Sequence, residues 1–390
     1  MPTPIPERRP CSGHAVQPNA GDERPVSNQP APIAGASSPA EIPPGLRELA
    51  EHARAAGEVP PRSPEVVFAA PRSPSPSQHP GVPSAAATRA STTCTITSPN
   101  DLRALLDSPQ SETIDTLIVE GALDDRDFSL FPKSVRHVTL DIEGVTPAAL
   151  AYLEAIELRS LTAHPRTQVG DEGAIVLGQH PTLESVVLTA NRVGNRGAEG
   201  LSRSATLRSA DLSENCIGDP GGIAFARSAL EEMLFDDNEL SAQTAAALIR
   251  ESRAIALAFG GNPIRDPSQI AFEVSRNTRL KFFDVTNCRV GNAELGAIAT
   301  NRSIEALVLD GNLFDISGLQ MLEPNRTLRS LKLADNDRLR DESAILLSRM
   351  TWLEELDVGD IEFGVDGFLA LAVLHRQGVR VVADWPEGLP

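Results

Sequence analysis

Residues 304–336 read IEALVLDGNLFDISGLQMLEPNRTLRSLKLADN and contain the same phrase twice, first as IEALVLDGN and then as LRSLKLADN. The phrase places apolar residues at its first, fourth and sixth positions and Asn at its ninth. The two copies lie 24 residues apart and end at Asn312 and Asn336. A fixed period of this kind predicts stacked repeats, in which each copy packs on its neighbours.

Seven positions in the chain end such a phrase, at intervals of 23 to 26 residues: Asn191, Asn215, Asn238, Asn262, Cys288, Asn312 and Asn336. Apolar residues two apart, such as Val186 and Leu188, point to one face of a short strand. The chain must then turn, and an Asn side chain offers two donors and an acceptor to the backbone groups of that turn. We therefore predict an asparagine ladder along the stack, with the Cys288 thiol as a weaker substitute.

The residues after each Asn also recur, roughly as I-G-x-x-G-A-x-x-L, for example VGNRGAEGL at 193–201 and IGDPGGIAF at 217–225. Together with the strand phrase, this pattern resembles leucine-rich repeats of the ribonuclease-inhibitor-like subclass. The 24-residue period is similar to that of bacterial GALA-type effectors, although no F-box of the kind those proteins carry is found here. The resemblance implies an α/β fold, a right-handed solenoid with a curved parallel sheet inside and helices outside.

The repeat array predicts the domain organisation. Degenerate copies that keep only the apolar triplet extend it to about eleven repeats, and atypical terminal repeats are expected to cap such a stack. We assign residues 114–390 to the repeat domain, with helices over 340–350 and 364–378 and Gly378 as a helix stop. Residues 98–113 are predicted to form an N-terminal capping helix, with Asn100 as its N-cap.

The first 97 residues have a different composition. The first 100 residues contain 20 of the 31 prolines and equal numbers of basic and acidic side chains. Such a stretch buries too little apolar surface to offset its chain entropy, so we predict a disordered leader. Its Ser/Pro/Ala-rich composition resembles type III secretion leaders, and no hydrophobic signal-peptide core is present.

Charge restricts the classes of partner. The formal net charge of −18 arises entirely after residue 100, where 27 basic side chains face 45 acidic ones. An acidic domain argues against nucleic-acid binding, which needs a basic face, and favours a partner with a basic surface. No apolar run approaches the roughly 18 residues of a membrane span.

The sequence predicts no enzyme active site. Its seven His are scattered, and HExxH, GxSxG and a Gly-rich loop with Lys are all absent. The four Cys form no CxxC pair, and none begins the Cys-x-Asp motif used by bacterial effector ligases with leucine-rich repeats. We therefore expect no catalytic residues, no metal and no cofactor.

The candidate binding surface is the concave face of the sheet. Alternate strand positions should face this cavity, and we assign to it Asp211, Glu232, Leu234, Asp236, Phe282, Asp284, Val308, Asp310, Lys332, Glu355 and Asp357. Like charges on adjacent strands repel one another unless solvent or a partner meets them, which favours a binding role over a merely solvated face. Phe282 is the candidate anchor, unless neighbouring side chains already cover it.

The combined hypothesis is a protein-interaction module, and we expect a monomer. In the favoured version the chain is a bacterial effector, secreted by a type III system into the host cytoplasm, which binds a host protein through the concave face. One alternative is a ubiquitin-ligase adaptor that recruits a target. The other is a scaffold that stays in the bacterial or eukaryotic cytoplasm.

Overall fold

The computed structural model describes residues 92–387 and 389, and the predictions for residues 1–91 lie outside them. Thirteen strands form one sheet and pair in parallel, in chain order. They are β1 Thr92–Ile96, β2 Ile114–Val119, β3 His137–Leu140, β4 Ser160–Ala163, β5 Ser185–Val187, β6 Ser209–Asp211, β7 Glu232–Leu234, β8 Ala256–Ala258, β9 Phe282–Asp284, β10 Ala306–Val308, β11 Ser330–Lys332, β12 Glu355–Asp357 and β13 Arg380–Val382.

A helical segment follows most strands. The α-helices are α1 Pro99–Leu106, α2 Pro147–Tyr152, α3 Gly170–Gly178, α4 Asn195–Ser202, α5 Asp219–Ile223, α6 Ala242–Glu251, α7 Ser268–Arg276, α8 Asn292–Ile298, α9 Ile316–Leu322, α10 Asp341–Leu347 and α11 Val365–Arg376. Short 3₁₀ turns lie at Pro109–Glu112, Asp125–Leu130, Leu153–Ala155, Pro165–Thr167 and Ala224–Arg227.

The apolar triplet of each phrase sets the register of the sheet. Leu307 of β10 pairs with Phe283 of β9 on one side and with Leu331 of β11 on the other. These central strand residues are buried against the helices, and one continuous hydrophobic cluster extends through the stack. The predicted leucine-rich repeat solenoid is therefore confirmed.

Several repeats also help to start the helix of the next. The Asp171 carboxylate in α3 accepts hydrogen bonds from the backbone N–H groups of Gly194, at 2.6 Å, and Gly197, at 2.9 Å. Asn195 does the same for Gly218 and Gly221 one repeat later. A Cβ atom on Gly197 would lie 2.7 Å from that carboxylate oxygen, which explains the glycine in the I-G-x-x-G pattern.

The two ends of the array differ in how well they match the predictions. At the C-terminal end, α11 occupies the predicted segment, and Gly378 follows it with a φ of +99° that favours glycine. At the N-terminal end, β1 pairs with β2, so residues 92–97 are not part of a disordered leader. Ser98, not Asn100, is the N-cap of α1, because its hydroxyl accepts a hydrogen bond from Asp101 N.

Candidate functional site

Three rows of side chains cross the sheet on the side away from the helices, and we call this surface the concave face. The first row includes Glu232, Ala256, Phe282, Ala306, Ser330 and Glu355, which pair in register. The second includes Asp211, Leu234, Ala258, Asp284, Val308, Lys332 and Asp357. The third lies just beyond the strands and includes Asp236, Gly260, Thr286 and Asp310. All eleven predicted residues belong to these rows.

On this surface, one strand, β8, carries only small residues. Ala256 and Ala258 of β8 and the following Gly260 are buried, whereas the equivalent positions of β7 and β9 carry larger side chains. A Cβ atom on Gly260 would lie 3.0 Å from Asp236 Oδ1 and 3.5 Å from Asp284 Oδ1. Two carboxylates from different strands therefore approach each other over this glycine.

Burial changes the proton affinity of both carboxyls, and the approach of Asp284 adds to the change at Asp236. Asp236 Oδ1 accepts a hydrogen bond from Gly260 N at 2.6 Å, and Asp284 Oδ1 accepts one from Thr286 N at 2.8 Å. Burial, followed by repulsion from Asp284, raises the pKa of Asp236 to about 8. Burial likewise raises the pKa of Asp284, although its bonds from Thr286 oppose the shift. Repulsion and desolvation both favour the neutral acid.

A third carboxyl, that of Asp310, lies beside this pair on the side towards β11. Its Oδ1 accepts a hydrogen bond from Ala334 N at 2.8 Å. Burial raises its pKa to about 7, with repulsion from Asp284 and Asp357 adding to the shift and the positive charge of Lys332 opposing it. We call Asp236, Asp284 and Asp310 the carboxyl cluster. Near neutral pH the concave face therefore carries less negative charge than the number of its carboxylates suggests.

The remaining polar residues lie around the cluster. Asp211 and Asp357 are half-buried and accept hydrogen bonds from Ser213 N and Gly359 N, at 3.0 and 3.1 Å. Glu232 is half-buried, and Glu355 forms an ion pair with Arg380 at 3.2 Å. These side chains leave a partly solvated acidic margin on both sides of the cluster.

The apolar residues of the face divide into two groups. Phe282 and Leu234 are half-buried, so part of each side chain can contact a partner. Val308 is only 7% exposed, because it lies in register between the longer side chains Asp284 and Lys332. Val308 therefore offers little side-chain surface to a partner, and its role in contacting one stays a prediction.

The predicted ladder residues lie buried in the turns that follow the strands. Asn215 Nδ2 donates to Leu188 O of the preceding repeat at 2.8 Å, and its Oδ1 accepts from Val193 N at 2.8 Å. Equivalent pairs of hydrogen bonds are made by Asn191, Asn238, Asn262 and Asn312. Asn336 donates in the same way to Leu309 O, but its Oδ1 accepts from Asn312 N. Each Asn thereby joins two successive repeats through their backbones.

Cys288 makes only half of this arrangement. Its thiol donates to Phe259 O at 3.5 Å, and burial raises the pKa of the thiol. A thiol has no amide oxygen with which to accept the usual N–H bond, and Ile264 N donates instead to Asn262 O at 2.7 Å. Towards the N-terminus, Thr167 Oγ1 supplies the donor by bonding Leu140 O at 2.9 Å, a substitution that the sequence pattern missed.

A second polar row lies at the opposite edge of the sheet, and it too was missed. Asn301 Nδ2 donates to Val274 O at 2.7 Å, and its Oδ1 accepts from Ser303 N at 2.7 Å. Asn277 and Asn325 make similar bonds in the neighbouring repeats. The signal was present as NTRL at 277–280, NRSI at 301–304 and NRTL at 325–328, just before each strand phrase begins.

Among residues 92–387 and 389, no group of three or more His, Cys, Asp or Glu side chains is arranged to hold a metal ion. In the same part of the chain, no helix combines the length and apolar composition required to cross a bilayer.

Comparison with known proteins identifies the repeats. Residues 179–202, 203–226 and 325–348 match the family model described as Leucine Rich repeat. No curated protein sequence matches the chain.

Solved structures with a similar fold include an internalin (inlF) from Listeria monocytogenes, with a TM-score of 0.48 and 20% identity over 70% of this chain and 73% of that one. The Rad7 and Elc1 complex of yeast has a TM-score of 0.42 and 13% identity over 69% and 84%. The TLR13–ssRNA13 complex has a TM-score of 0.45 and 16% identity over 73% and 47%. At TM-scores below 0.5 these similarities carry no argument about this chain, whose repeats are identified by the matched residues.

Proposed function

We propose that this chain is a protein-binding module whose concave face receives a partner with a basic surface, and that it is not an enzyme. The observation that carries the proposal is the carboxyl cluster. Asp236, Asp284 and Asp310 come from separate repeats, yet they meet on one face, where their mutual repulsion raises the free energy of the ionised state. A cation supplied by a partner would relieve that repulsion.

The half-buried apolar residues support the same face. Phe282 and Leu234 lie beside β8, and aromatic side chains at the centre of an interface commonly contribute much of its binding energy. The acidic margin formed by Asp211 and Asp357 would steer a basic partner towards them. Because a bound cation favours the ionised carboxyls, binding should release protons.

The biological setting forms a second level of the proposal. We favour a type III effector delivered into the host cytoplasm, because of the Pro- and Ser-rich composition of the leader. Fusing residues 1–91 to a reporter tests this directly. Type III-dependent translocation of the reporter would support the effector, whereas none in a competent strain would favour a scaffold that stays in the cytoplasm.

The binding proposal is tested by capture from host lysate with the full chain, followed by affinity measurement with the purified partner. The concave variant Asp211→Lys/Asp357→Lys is suitable because these side chains are half-buried rather than enclosed in the cluster. The matched control is Glu172→Lys/Glu199→Lys, which makes the same charge change on exposed helix positions. We expect only the concave variant to lose affinity. Loss in the control alone would place the partner on the helices. A captured ubiquitin-ligase subunit would instead indicate the adaptor.

A further inference from the structure

The edge of the array opposite the ladder has an unusual charge. Here each helix ends and the chain returns to the next strand. Six successive connections, from the one before β7 to the one before β12, each carry an exposed arginine: Arg227, Arg253, Arg279, Arg302, Arg326 and Arg349. We call this row the arginine edge.

The arginine edge is not neutralised by the protein itself. Within the described residues, none of its six arginines forms an ion pair with an acidic side chain. Nearby cations do form such pairs, since Arg250 contacts Glu251 and Glu273, and Lys281 contacts Glu305. Acidic side chains near this edge therefore pair with other cations and leave the six arginines without an acidic partner among the described residues.

The connections that carry these arginines are held in place by buried polar groups. Arg302 follows Asn301, whose side chain bonds Val274 O and Ser303 N, and Arg326 follows Asn325, which bonds Asn301 O at 2.9 Å. The guanidinium of Arg302 donates to two nearby carbonyls, Ala299 O at 2.7 Å and Asn301 O at 3.3 Å, both through Nη1. A guanidinium has five donors, so most of its hydrogen-bonding capacity remains for a partner. The row is thus pre-organised, which lowers the entropy cost of binding.

The opposite edge carries both signs of charge. The turns that follow the strands expose Glu214, Asp237, Asp335 and Asp360, and exposed arginines such as Arg192 and Arg289 lie near them. The arginine edge differs in having an exposed arginine in every one of six successive connections. A long nucleic acid would be repelled by the net charge of −18, whereas a short acidic protein segment can contact one edge alone.

An apolar anchor lies beside the middle of the row. Phe272 on α7 is 54% exposed, and the Arg276 guanidinium lies 5.3 Å from the centre of its ring. A groove of about 410 Å³ between α6 and α7 is lined by Phe272, Arg276 and Arg279. An apolar side chain placed in this groove would have cationic groups on one side of it.

We propose that the arginine edge binds an acidic segment of a partner protein, with one apolar side chain of that segment packed on Phe272. Adjacent connections lie between the strand spacing of about 4.8 Å and the helix spacing of about 8–10 Å. Alternate side chains of an extended segment lie about 6.6 Å apart, within that range. This surface is separate from the concave face and does not depend on the function proposed for it.

The test uses the full chain and a short fluorescein-labelled peptide of Glu residues with one central Leu, followed by fluorescence anisotropy. The variant is Arg227→Glu/Arg253→Glu/Arg349→Glu, because these three side chains make no hydrogen bond within the described part of the chain. The matched control reverses Arg192, Arg265 and Arg289, which are equally exposed on the ladder side.

We expect binding that weakens with salt, a loss of about tenfold or more in the edge variant, and a change below about twofold in the control. Phe272→Ala should also weaken the peptide, and neutral Gln variants at the three edge positions should give an intermediate loss even if charge reversal disturbs folding. The proposal is overturned if the wild type does not bind the peptide or if both triple variants lose it equally. It is also overturned if oligouridine or phosphatidylserine vesicles of similar charge bind and the peptide does not.

Discussion

Asn238 and Asp236 lie two residues apart in the same turn, yet their environments differ completely. The Asn238 side chain donates to three backbone carbonyls and accepts from Ile217 N. Asp236 accepts one backbone bond and faces a second carboxylate across Gly260. The first residue is a satisfied polar group that joins repeats. The second is a largely buried carboxyl whose ionised form is disfavoured by desolvation and by repulsion from Asp284.

The largest effect on stability is expected when the Asn238 side chain is removed from the ladder. Asn238→Leu leaves the Ile217 N–H without its acceptor and removes one donor from three turn carbonyls, each of which keeps another hydrogen bond. We expect a loss of roughly 1–3 kcal/mol in the free energy of unfolding, measured by urea denaturation. Asp335→Asn, at an exposed position in the equivalent turn of a later repeat, is the control and should change stability by less than about 0.5 kcal/mol. Equal losses in both variants would mean that the ladder bonds contribute nothing specific.

Replacing Asp236 should have the opposite effect and increase stability. Asp236→Asn keeps the acceptor for Gly260 N and removes the buried charge, so it should stabilise the protein by on the order of 1–2 kcal/mol at alkaline pH. The sign follows from the raised pKa of about 8 in the folded state, against 3.8 as the ordinary value. The folded chain keeps a proton that the unfolded chain releases. The stabilising contribution is therefore complete below pH 4 and lost as the pH rises through 8.

This prediction is checked by thermal melting from pH 5 to pH 9. The wild type should lose stability across this range more steeply than Asp236→Asn, and the two curves should converge at the acidic end. Parallel curves would show that Asp236 ionises normally.

The affinity for a basic partner should depend on the same carboxyl titrations as the stability, but it should rise with pH where the stability falls. If a basic partner occupies the carboxyl cluster, its affinity should rise as the pH increases through 7 and 8, the pKa values of Asp310 and Asp236.

Phe282→Ala should raise the dissociation rate by about tenfold, as expected for loss of a central aromatic contact. Surface plasmon resonance with the captured partner measures both. An affinity independent of pH would remove the cluster from the interface.

The smallest effect is expected from replacing Cys288, the weakest position of the ladder, by Asn. Cys288→Asn would restore an amide oxygen near Ile264 N, which now donates to Asn262 O. We expect a gain of roughly 0.5–1 kcal/mol, since a net hydrogen bond contributes about that much. Cys288→Ser, which lacks the reach of the amide, serves as the control and should give no gain. A destabilised Asn variant would show that the turn cannot rearrange to use the amide.

The repeat pattern predicts more of the fold than of the site. Period-two apolar residues and a recurring Asn determine strand register, and those features are local. β1 was missed because TTCTI, at Thr92–Ile96, follows a Pro-rich stretch and has neither the full apolar triplet nor the Asn. Its strand character depends on pairing with β2, which is a tertiary contact.

The properties of the concave face were harder to predict because they depend on neighbours from other repeats. The alternation of strand residues places Val308 and Asp284 on the same face, but it cannot show that Val308 is covered while Phe282 is not. Nor can it show that Asp236 and Asp284 meet, because the gap over β8 depends on Gly260 in a third repeat. Counting charges in the sequence therefore overestimated the charge at the centre.

The contrast between ladder and cluster is tested most directly by titrating the aspartate carboxyl carbons by NMR, with ¹³C-labelled Asp in the wild-type chain. We predict midpoints near pH 8 for Asp236 and near pH 7 for Asp310, and an elevated midpoint for Asp284. Asp284→Asn should lower the midpoint of Asp236, because one repelling charge is removed. Midpoints below pH 5 for all three carboxyls would contradict the account, since they would show that the concave face is fully ionised and unstrained at neutral pH.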